Sequence, residues 1–134
     1  MIYLDSCALL KFIKPEKETD ALRAWRQALP EGTELLTSEL ASLEIARTLR
    51  RAGVDHQKVP YFVGQALRGV YQADLTTTVL ARAGAYQIGR LGSLDAIHLS
   101  SADPFRLEMT EFVTYDLELA RAAGGLGFPV SSPS

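Results

Sequence analysis

Short apolar runs alternate with longer segments of helical periodicity along the whole chain, and this alternation constrains the fold more than any other feature. The apolar runs predict strands at about residues 1–5, 34–37, 70–75, 111–115 and 128–130. The periodic segments predict helices at about residues 7–13, 17–28, 39–51, 57–69, 77–90, 93–103 and 117–123. Strands that alternate with helices favour a parallel sheet with helices on both faces, because right-handed crossovers connect parallel strands. The sequence therefore predicts an α/β fold.

Polar and helix-breaking residues mark the ends of several predicted helices. Ser6 and Ser38 are suited to cap the first and third helices, since a serine hydroxyl accepts a hydrogen bond from a free backbone N–H. Gly53 is placed to end the third helix. The pair Asp103-Pro104 is placed to end the sixth. On the second helix, Trp25 lies on the apolar stripe, which predicts a core or interface residue.

Length and composition indicate one globular domain. The chain has 134 residues, of which 47% are hydrophobic and 22% are charged, and chains of this size usually form a single core. We expect residues 1–130 to form the domain. Residues 131–134 are expected to form a polar tail, because they have too little apolar surface to order themselves.

Cysteine content and apolar patterning bear on where the protein works. Cys7 is the only cysteine, which excludes an internal disulfide and a metal site built from several cysteines. Met1 is followed at once by an apolar strand without a basic segment, and no stretch reaches the roughly 18 apolar residues of a spanning helix. We therefore expect a cytoplasmic protein that is neither secreted nor inserted in a membrane.

Four carboxylates lie where this fold would gather side chains at one edge of the sheet. Asp5 and Asp116 directly follow the first and fourth predicted strands, Asp95 lies in the first turn of a helix, and Glu44 lies on the long third helix. Sites in parallel sheets form outside the carboxyl ends of the strands. Asp5 and Asp116 can therefore converge across a long sequence separation. The four acids together suggest a divalent-metal site.

Each acid taken alone also has a structural explanation. An acid after a strand is often a helix cap or a turn residue, which applies to Asp5 and Asp116. Asp95 suits the positive end of the helix dipole. Glu44 could pair with Arg47 on the same helix, although it projects beside the apolar stripe, at a rim where a cleft would lie. Only the combination of the four supports a metal site.

Oxygen ligands without a cluster of cysteine or histidine predict a hard cation. Mg²⁺ or Mn²⁺ suits such ligands and supports phosphodiester hydrolysis, because it activates water and neutralises charge on a phosphoryl oxygen. Ser6 and Thr114 flank two of the acids and could orient them through their hydroxyl groups; helix capping is the equal alternative for Ser6. His56 and His98 lack the partner spacing of a zinc site, and we interpret His98 as a structural residue.

The charge of the chain argues against indiscriminate nucleic-acid binding but allows a local basic patch. The net charge is −2 and the pI is about 5.7, whereas unspecific phosphate attraction requires clustered basic residues. Arg47, Arg50 and Arg51 lie on one predicted helix, and arginine is an effective phosphate ligand. These three could hold phosphates. A solvated helix face is the alternative.

Four strings of residues occur in an order that is typical of one family. They are Tyr3-Leu4-Asp5-Ser6-Cys7-Ala8-Leu9-Leu10-Lys11, Ser38-Glu39-Leu40 with Glu44-Ile45-Ala46-Arg47, Leu94-Asp95-Ala96-Ile97-His98-Leu99, and Val113-Thr114-Tyr115-Asp116-Leu117-Glu118-Leu119. Over nearly the whole chain, this set resembles PIN-domain proteins, specifically VapC-type toxins. The resemblance implies a three-layer α/β/α sandwich, a Mg²⁺- or Mn²⁺-dependent endoribonuclease, a homodimer and neutralisation by a cognate VapB-type antitoxin.

The resemblance also implies roles for individual residues. Carried over by position, the acidic catalytic and metal-binding set is Asp5, Glu44, Asp95 and Asp116. Ser6 and Thr114 would support this set, and Arg47, Arg50 or Arg51 would hold RNA phosphates. Cys7 stands where the family often has a small hydroxyl residue, so one hydrogen bond is expected to be missing. Glu39 and Asp103 are spare acids that could replace a weaker member of the set.

Two other functions stay open on the sequence alone. A phosphatase of the haloacid dehalogenase type also has an aspartate after the first strand, but it needs a second aspartate two residues on, where this chain has Cys7. A non-catalytic PIN-like RNA- or protein-binding module is the alternative from a different class, although such members lose acids that this chain keeps. The apolar helix faces near Trp25 and Tyr61-Phe62 give some support to a homodimer.

Overall fold

Five parallel strands form the central sheet in the computed structural model, which describes all residues, 1–134. The strands are β1 (Ile2–Leu4), β2 (Leu35–Ser38), β3 (Tyr71–Ala73), β4 (Glu111–Val113) and β5 (Val130–Ser131). Their spatial order is β3-β2-β1-β4-β5, and every neighbouring pair is parallel. The first strand therefore lies at the centre, and its carboxyl end lies beside that of β4, where Leu4 pairs with Val113.

Seven α-helices and one 3₁₀ helix connect these strands. They are α1 (Ser6–Leu10), α2 (Thr19–Gln27), α3 (Leu40–Arg51), α4 (Val59–Ala66), α5 (Thr77–Ala85), α6 (Ser93–Ala102), the 3₁₀ helix Asp103–Glu108, and α7 (Leu117–Gly125). None of the helices is both long and apolar enough to cross a membrane.

The residues of β1 alternate between two apolar cores on opposite faces of the sheet, as the two-residue period of a strand requires. Ile2 and Leu4 pack with buried side chains of α1 to α4, such as Leu9 and Ile45. Tyr3 packs instead with buried side chains of α6 and α7. The predicted three-layer α/β/α sandwich is therefore confirmed.

Of the two candidate caps of the first helix, Ser6 and Asp5, the structure has the second. Asp5 is the N-cap, because its Oδ1 accepts a hydrogen bond of 2.8 Å from the backbone N–H of Ala8 and its own backbone is extended. Ser6 is already the first helical residue, so the prediction that Ser6 caps α1 is wrong. The N-cap of α3 is Glu39 rather than the predicted Ser38, although the hydroxyl of Ser38 still accepts from the N–H of Leu40 at 3.1 Å.

Several element ends also differ from the predicted ones. The fourth helix covers Val59–Ala66 rather than 57–69, and the fifth ends at Ala85 rather than near residue 90. It ends there because Tyr86 adopts extended backbone and its hydroxyl donates to the Asp103 carboxylate at 2.7 Å. The 3₁₀ helix after α6 was not predicted.

The carboxyl-terminal residues pack on the domain, contrary to the prediction of a free tail. Ser131 belongs to β5, so the ordered region extends past the predicted boundary at residue 130. Ser132 donates its hydroxyl to the carbonyl oxygen of Thr114, and the hydroxyl of Tyr115 donates to the carbonyl oxygen of Pro133 at 2.7 Å. Hydrogen bonds to the end of β4 therefore replace the apolar contacts that these residues lack.

Two leucines on α7 test the layered packing with one type of substitution. Leu119 is fully buried, whereas Leu117 is 74% exposed. We expect Leu119→Ala to lower the free energy of unfolding by about 2–5 kcal/mol, because it leaves a cavity. We expect Leu117→Ala to change it by less than about 0.5 kcal/mol. Urea unfolding measures both, and equal effects would contradict the orientation of this helix.

Candidate active site

Asp5 is a buried carboxylate held between the ends of the two central strands. Its side chain is almost inaccessible, at 3% exposure. One oxygen accepts from the N–H of Ala8, and the other accepts from the hydroxyl of Thr114. The same Thr114 oxygen accepts from the backbone N–H of Asp116 at 3.1 Å. Thr114 thus connects two of the predicted acids, and its supporting role at a metal site stays a prediction.

Asp116 and Asp95 both lie at helix starts, as the sequence predicted, but their hydrogen bonding differs. Asp116 caps α7, since its Oδ1 accepts from the N–H of Leu119 at 2.9 Å. Its other oxygen forms no hydrogen bond within the protein. Asp95 lies in the first turn of α6, and neither of its oxygens has a hydrogen-bond partner in the chain. These unused oxygens are available to a ligand.

Glu44 enters the site from α3 and is held by a histidine. Its Oε1 lies 2.6 Å from Nε2 of His98. The other ring nitrogen of His98 lies 2.6 Å from the hydroxyl of Tyr3. The alternative in which Glu44 pairs with Arg47 is therefore wrong, because the closer partner comes from α6. The contact with Glu44 was missed in the sequence, where the one available signal was the position of His98 one helical turn after Asp95.

The four predicted carboxylates lie close enough together to shift the pKa values of the groups around them. The pKa of Asp95 is raised from 3.8 to about 6, first by burial and then by the nearby carboxylates of Asp116, Asp5 and Glu44. Burial also raises the pKa of Asp5. The pKa of the Cys7 thiol is raised to about 12, first by burial and then by the same four carboxylates. The predicted acids are therefore neighbours in space, and Cys7 lies among them as a protonated thiol.

These carboxylates fit a hard divalent cation by their donor chemistry. All four offer oxygen ligands, and two of them carry raised pKa values that a nearby positive charge would lower. No three side chains of His, Cys, Asp or Glu converge closely enough to form a ready-made cluster. Like charges repel, so acids that share a cleft stay apart until a cation neutralises them.

Two small clefts flank Cys7. One is lined by Ser6, Glu44 and Thr48 among others, and the hydroxyl of Ser6 forms no hydrogen bond there, so its supporting role stays a prediction. The other has a volume of about 270 Å³ and is lined by residues that include Lys11 and Asp116. A groove of about 290 Å³ beside α7 contains none of the four acids, and we assign it no part in the site.

The spare acids have structural partners elsewhere. Glu39 is exposed and accepts from the N–H of Leu75 at 2.9 Å. Asp103 follows the last turn of α6, at the opposite end of that helix from Asp95, and accepts from Tyr86 and Arg106. Neither geometry brings these acids to the cleft.

The three predicted phosphate-binding arginines lie along one exposed side of α3. Arg47, Arg50 and Arg51 are all exposed, and none forms an ion pair. Only Arg51 has a side-chain contact, a long one of 3.5 Å to the hydroxyl of Thr48. The three guanidinium groups are therefore free to meet a ligand, and Arg47 is one turn from Glu44.

Known proteins resemble this chain in sequence over its whole length. The sequence profile described as PIN domain matches residues 2–125. Ribonuclease VapC47 of Mycobacterium tuberculosis is 37% identical over 140 residues, covering 99% of this chain and 97% of the relative. Ribonuclease VapC35 of the same organism is also 37% identical, over 137 residues, with the same shares covered.

Solved structures resemble it in fold. VapBC2 from Rickettsia felis, bound to a promoter DNA fragment, aligns over 100% of both chains with a TM-score of 0.76 and 13% identity. VapC20 from Mycobacterium tuberculosis, a toxin that cleaves the sarcin-ricin loop, aligns over 99% of this chain and 100% of its own with a TM-score of 0.75 and 14% identity. Since the profile covers nearly the whole sequence and the relatives exceed 30% identity, the chain belongs to the PIN-domain family.

Proposed function

We propose that this PIN-domain protein is an endoribonuclease toxin of the VapC type that a cognate antitoxin neutralises. The observation that carries the proposal is that Asp5, Glu44 and Asp116 lie close enough to Asp95 to raise its pKa. Such a set suits cleavage of a phosphodiester with the help of a cation. The relatives named as ribonucleases support the same reaction.

Divalent-metal dependence is general among PIN-domain VapC ribonucleases, and for this chain we propose Mg²⁺ or Mn²⁺. Asp5, Glu44, Asp95 and Asp116 would hold the ion. When bound, it would neutralise charge on the scissile phosphate and lower the pKa of a water molecule. Oxygen ligands alone favour these hard cations over zinc.

The other side chains would orient the substrate and the acids. Thr114 holds Asp5 by its hydroxyl, and helix starts hold one oxygen each of Asp5 and Asp116. This leaves the remaining lone pairs with fixed directions. Arg47, Arg50 and Arg51 would bind RNA phosphates along α3, since phosphate contacts position a nucleic acid without reading its sequence.

Partners follow from the same assignment. The structural neighbours include a toxin-antitoxin complex from Klebsiella pneumoniae and the VapBC2 complex, which supports a VapB-type antitoxin as the partner here.

A homodimer is proposed as well. Trp25 is not free to serve it, because it packs against the core and donates to Glu111, whereas Leu43 and Tyr61 are 58% and 64% exposed. We further propose a cytoplasmic location, where Cys7 would stay reduced.

The competing functions are weaker. Membership of the PIN-domain family overturns the haloacid dehalogenase alternative, which also lacked its second aspartate. A non-catalytic binding module stays a candidate only if the acids bind no metal. Calorimetric titration with Mn²⁺ separates it from the nuclease, since such a module would show no binding heat.

The first test of the nuclease is cleavage of a total cellular RNA pool by the purified protein with Mg²⁺ or Mn²⁺. We expect discrete products that disappear with chelator and in Asp95→Asn, because the variant loses a charged ligand but keeps the shape of the side chain. Asp5→Asn is expected to behave in the same way. Glu39→Gln is the control, and it should cleave like the wild type because Glu39 lies away from the cleft.

Retained cleavage in both aspartate variants would refute the proposed site, and loss of cleavage in Glu39→Gln would assign that residue to it. Circular dichroism of each variant shows whether an inactive protein is still folded.

The raised pKa of Asp95 predicts a pH-dependent stability. With a pKa of about 6 in the folded protein against 3.8 ordinarily, the folded state binds this proton more tightly than the unfolded state. Stability from this group is therefore present below about pH 4 and is lost as the pH rises through about 6. In the metal-free protein, Asp95→Asn should become more stable than the wild type between these values and stay so at about pH 8.

Urea unfolding at several pH values measures this difference. Saturating Mn²⁺ at about pH 8 should reverse the order, since only the wild type keeps all four ligands for an ion that stabilises the folded state. An Asp95→Asn variant that is equally destabilised at every pH would contradict the raised pKa.

The arginines on α3 are tested by RNA binding in the inactive Asp95→Asn background. Replacing Arg47, Arg50 and Arg51 by Gln should weaken binding and flatten the dependence of log K on log salt by about 0.7 for each phosphate that the variant no longer neutralises. A matched triple with the same change in charge, at Arg23, Arg68 and Arg121, should weaken binding less. Equal effects of the two triples would mean that only net charge matters.

A further inference from the structure

A chain of hydrogen bonds runs from the centre of the sheet to Glu44. The hydroxyl of Tyr3, on β1, lies 2.6 Å from Nδ1 of His98, on α6. Nε2 of His98 lies 2.6 Å from Oε1 of Glu44, on α3. Tyr3 is fully buried and His98 is 1% exposed, while the side chain of Glu44 is 20% exposed. This series of hydrogen bonds therefore begins at Tyr3 in the buried core and ends at Glu44, which lines one of the clefts beside Cys7.

The partners determine the direction of these hydrogen bonds. A neutral imidazole has one N–H donor and one acceptor nitrogen. An ionised Glu44 can only accept, so Nε2 of His98 must carry the proton. Nδ1 is then the acceptor, and the hydroxyl of Tyr3 donates to it. Each member therefore restricts the next, and the Tyr3 hydroxyl favours one tautomer of His98.

We propose that His98 is a positioning residue for the divalent cation: it holds Oε1 of Glu44 so that the second carboxylate oxygen stays directed at the other acids, and Tyr3 stabilises the tautomer that makes this possible. The inference rests on the proposed function, because it gives His98 a part in the same site. It differs from the sequence interpretation, in which His98 was only structural.

Glu44 needs such a partner because of its position on α3. Asp5 and Asp116 are each held by a backbone N–H at a helix start, which fixes their short side chains. Glu44 lies in the middle of α3, where no backbone N–H is free, and a glutamate has several rotatable bonds whose freedom is lost on binding an ion. The His98 ring supplies the donor that the helix cannot. Partners of this kind orient ligating carboxylates in metal sites.

Two substitutions of His98 separate positioning from core filling. The amide nitrogen of Gln reaches about as far as Nε2, so His98→Gln keeps a donor toward Glu44. Asn reaches only about as far as Nδ1, so His98→Asn loses that donor while it remains polar and removes more volume. Both variants disturb the core packing of the ring. A packing role alone therefore predicts that both bind Mn²⁺ like the wild type once folded.

Mn²⁺ affinity, measured by electron paramagnetic resonance, is the first readout. We expect His98→Asn to weaken binding about 10- to 100-fold, as the loss of such partners does in other metal sites, and His98→Gln to stay close to the wild type. Glu44→Gln is the reference for a lost ligand. Adding His98→Asn to Glu44→Gln should weaken binding no further, because the two act through one interaction.

The tautomer of His98 is the second readout, and it requires neither metal nor RNA. The chain has only two histidines, so His56→Gln assigns the signals of His98 in long-range ¹H–¹⁵N spectra. We expect a protonated Nε2 and an unprotonated Nδ1. An unprotonated Nε2 would overturn the proposal, because it could not donate to Glu44. Tyr3→Phe removes only a hydroxyl and leaves Nδ1 without its donor, so it should raise the share of the other tautomer and weaken Mn²⁺ binding even if His98→Asn does not fold.

The outcomes separate a failure of this inference from a failure of the proposed function. A wild type that binds no Mn²⁺ and cleaves no RNA refutes the proposed function, and with it a positioning role toward a cation. A wild type that binds and cleaves, with His98→Asn equal to it in affinity or with an unprotonated Nε2, refutes only the role of His98, and Tyr3→Phe equal to it refutes only the contribution of Tyr3.

Discussion

The hydrogen bonding of the buried Asp5 carboxylate is the interaction on which the rest of the site depends. It ends β1, starts α1 through the N–H of Ala8 and ties β1 to β4 through Thr114. A charge this deeply buried is unfavourable unless it is hydrogen bonded, and both of its oxygens have partners. The same atoms therefore join strand, helix and neighbouring strand at the one edge of the sheet where the other acids gather.

The site concentrates negative charge that the fold alone does not balance. Asp95 has no hydrogen-bond partner and takes a raised pKa from burial and from its neighbours, which is a cost to the folded state at neutral pH. Groups with such shifts are common at functional sites. Basic residues do not offset the charge within the cleft: the arginines of α3 are exposed on the same helix as Glu44, and Lys11 is paired with Glu16 and Glu18. A bound cation would relieve it.

Most of the architecture was predictable from local signals, and the site only in part. Alternating strands and helices indicated the parallel sheet, and parallel strands bring Asp5 and Asp116 to one edge whatever lies between them. The contact of His98 with Glu44 was not predictable, because it joins residues 54 positions apart on two helices whose packing no local pattern specifies. The sequence left both Asp5 and Ser6 as candidate caps of α1, since serine and aspartate cap equally well and one residue of offset separates them.

The two termini of the protein lie at opposite ends of the parallel strands. The carbonyl oxygen of Met1 accepts from Thr110 where β1 and β4 begin, whereas Ser132 and Pro133 are bonded to Thr114 and Tyr115 where β4 ends. A segment fused to the carboxyl terminus therefore lies beside the acids, and a polyhistidine tag there would add metal ligands that do not belong to the protein. An amino-terminal fusion emerges on the far side of the sheet and leaves the cleft unobstructed.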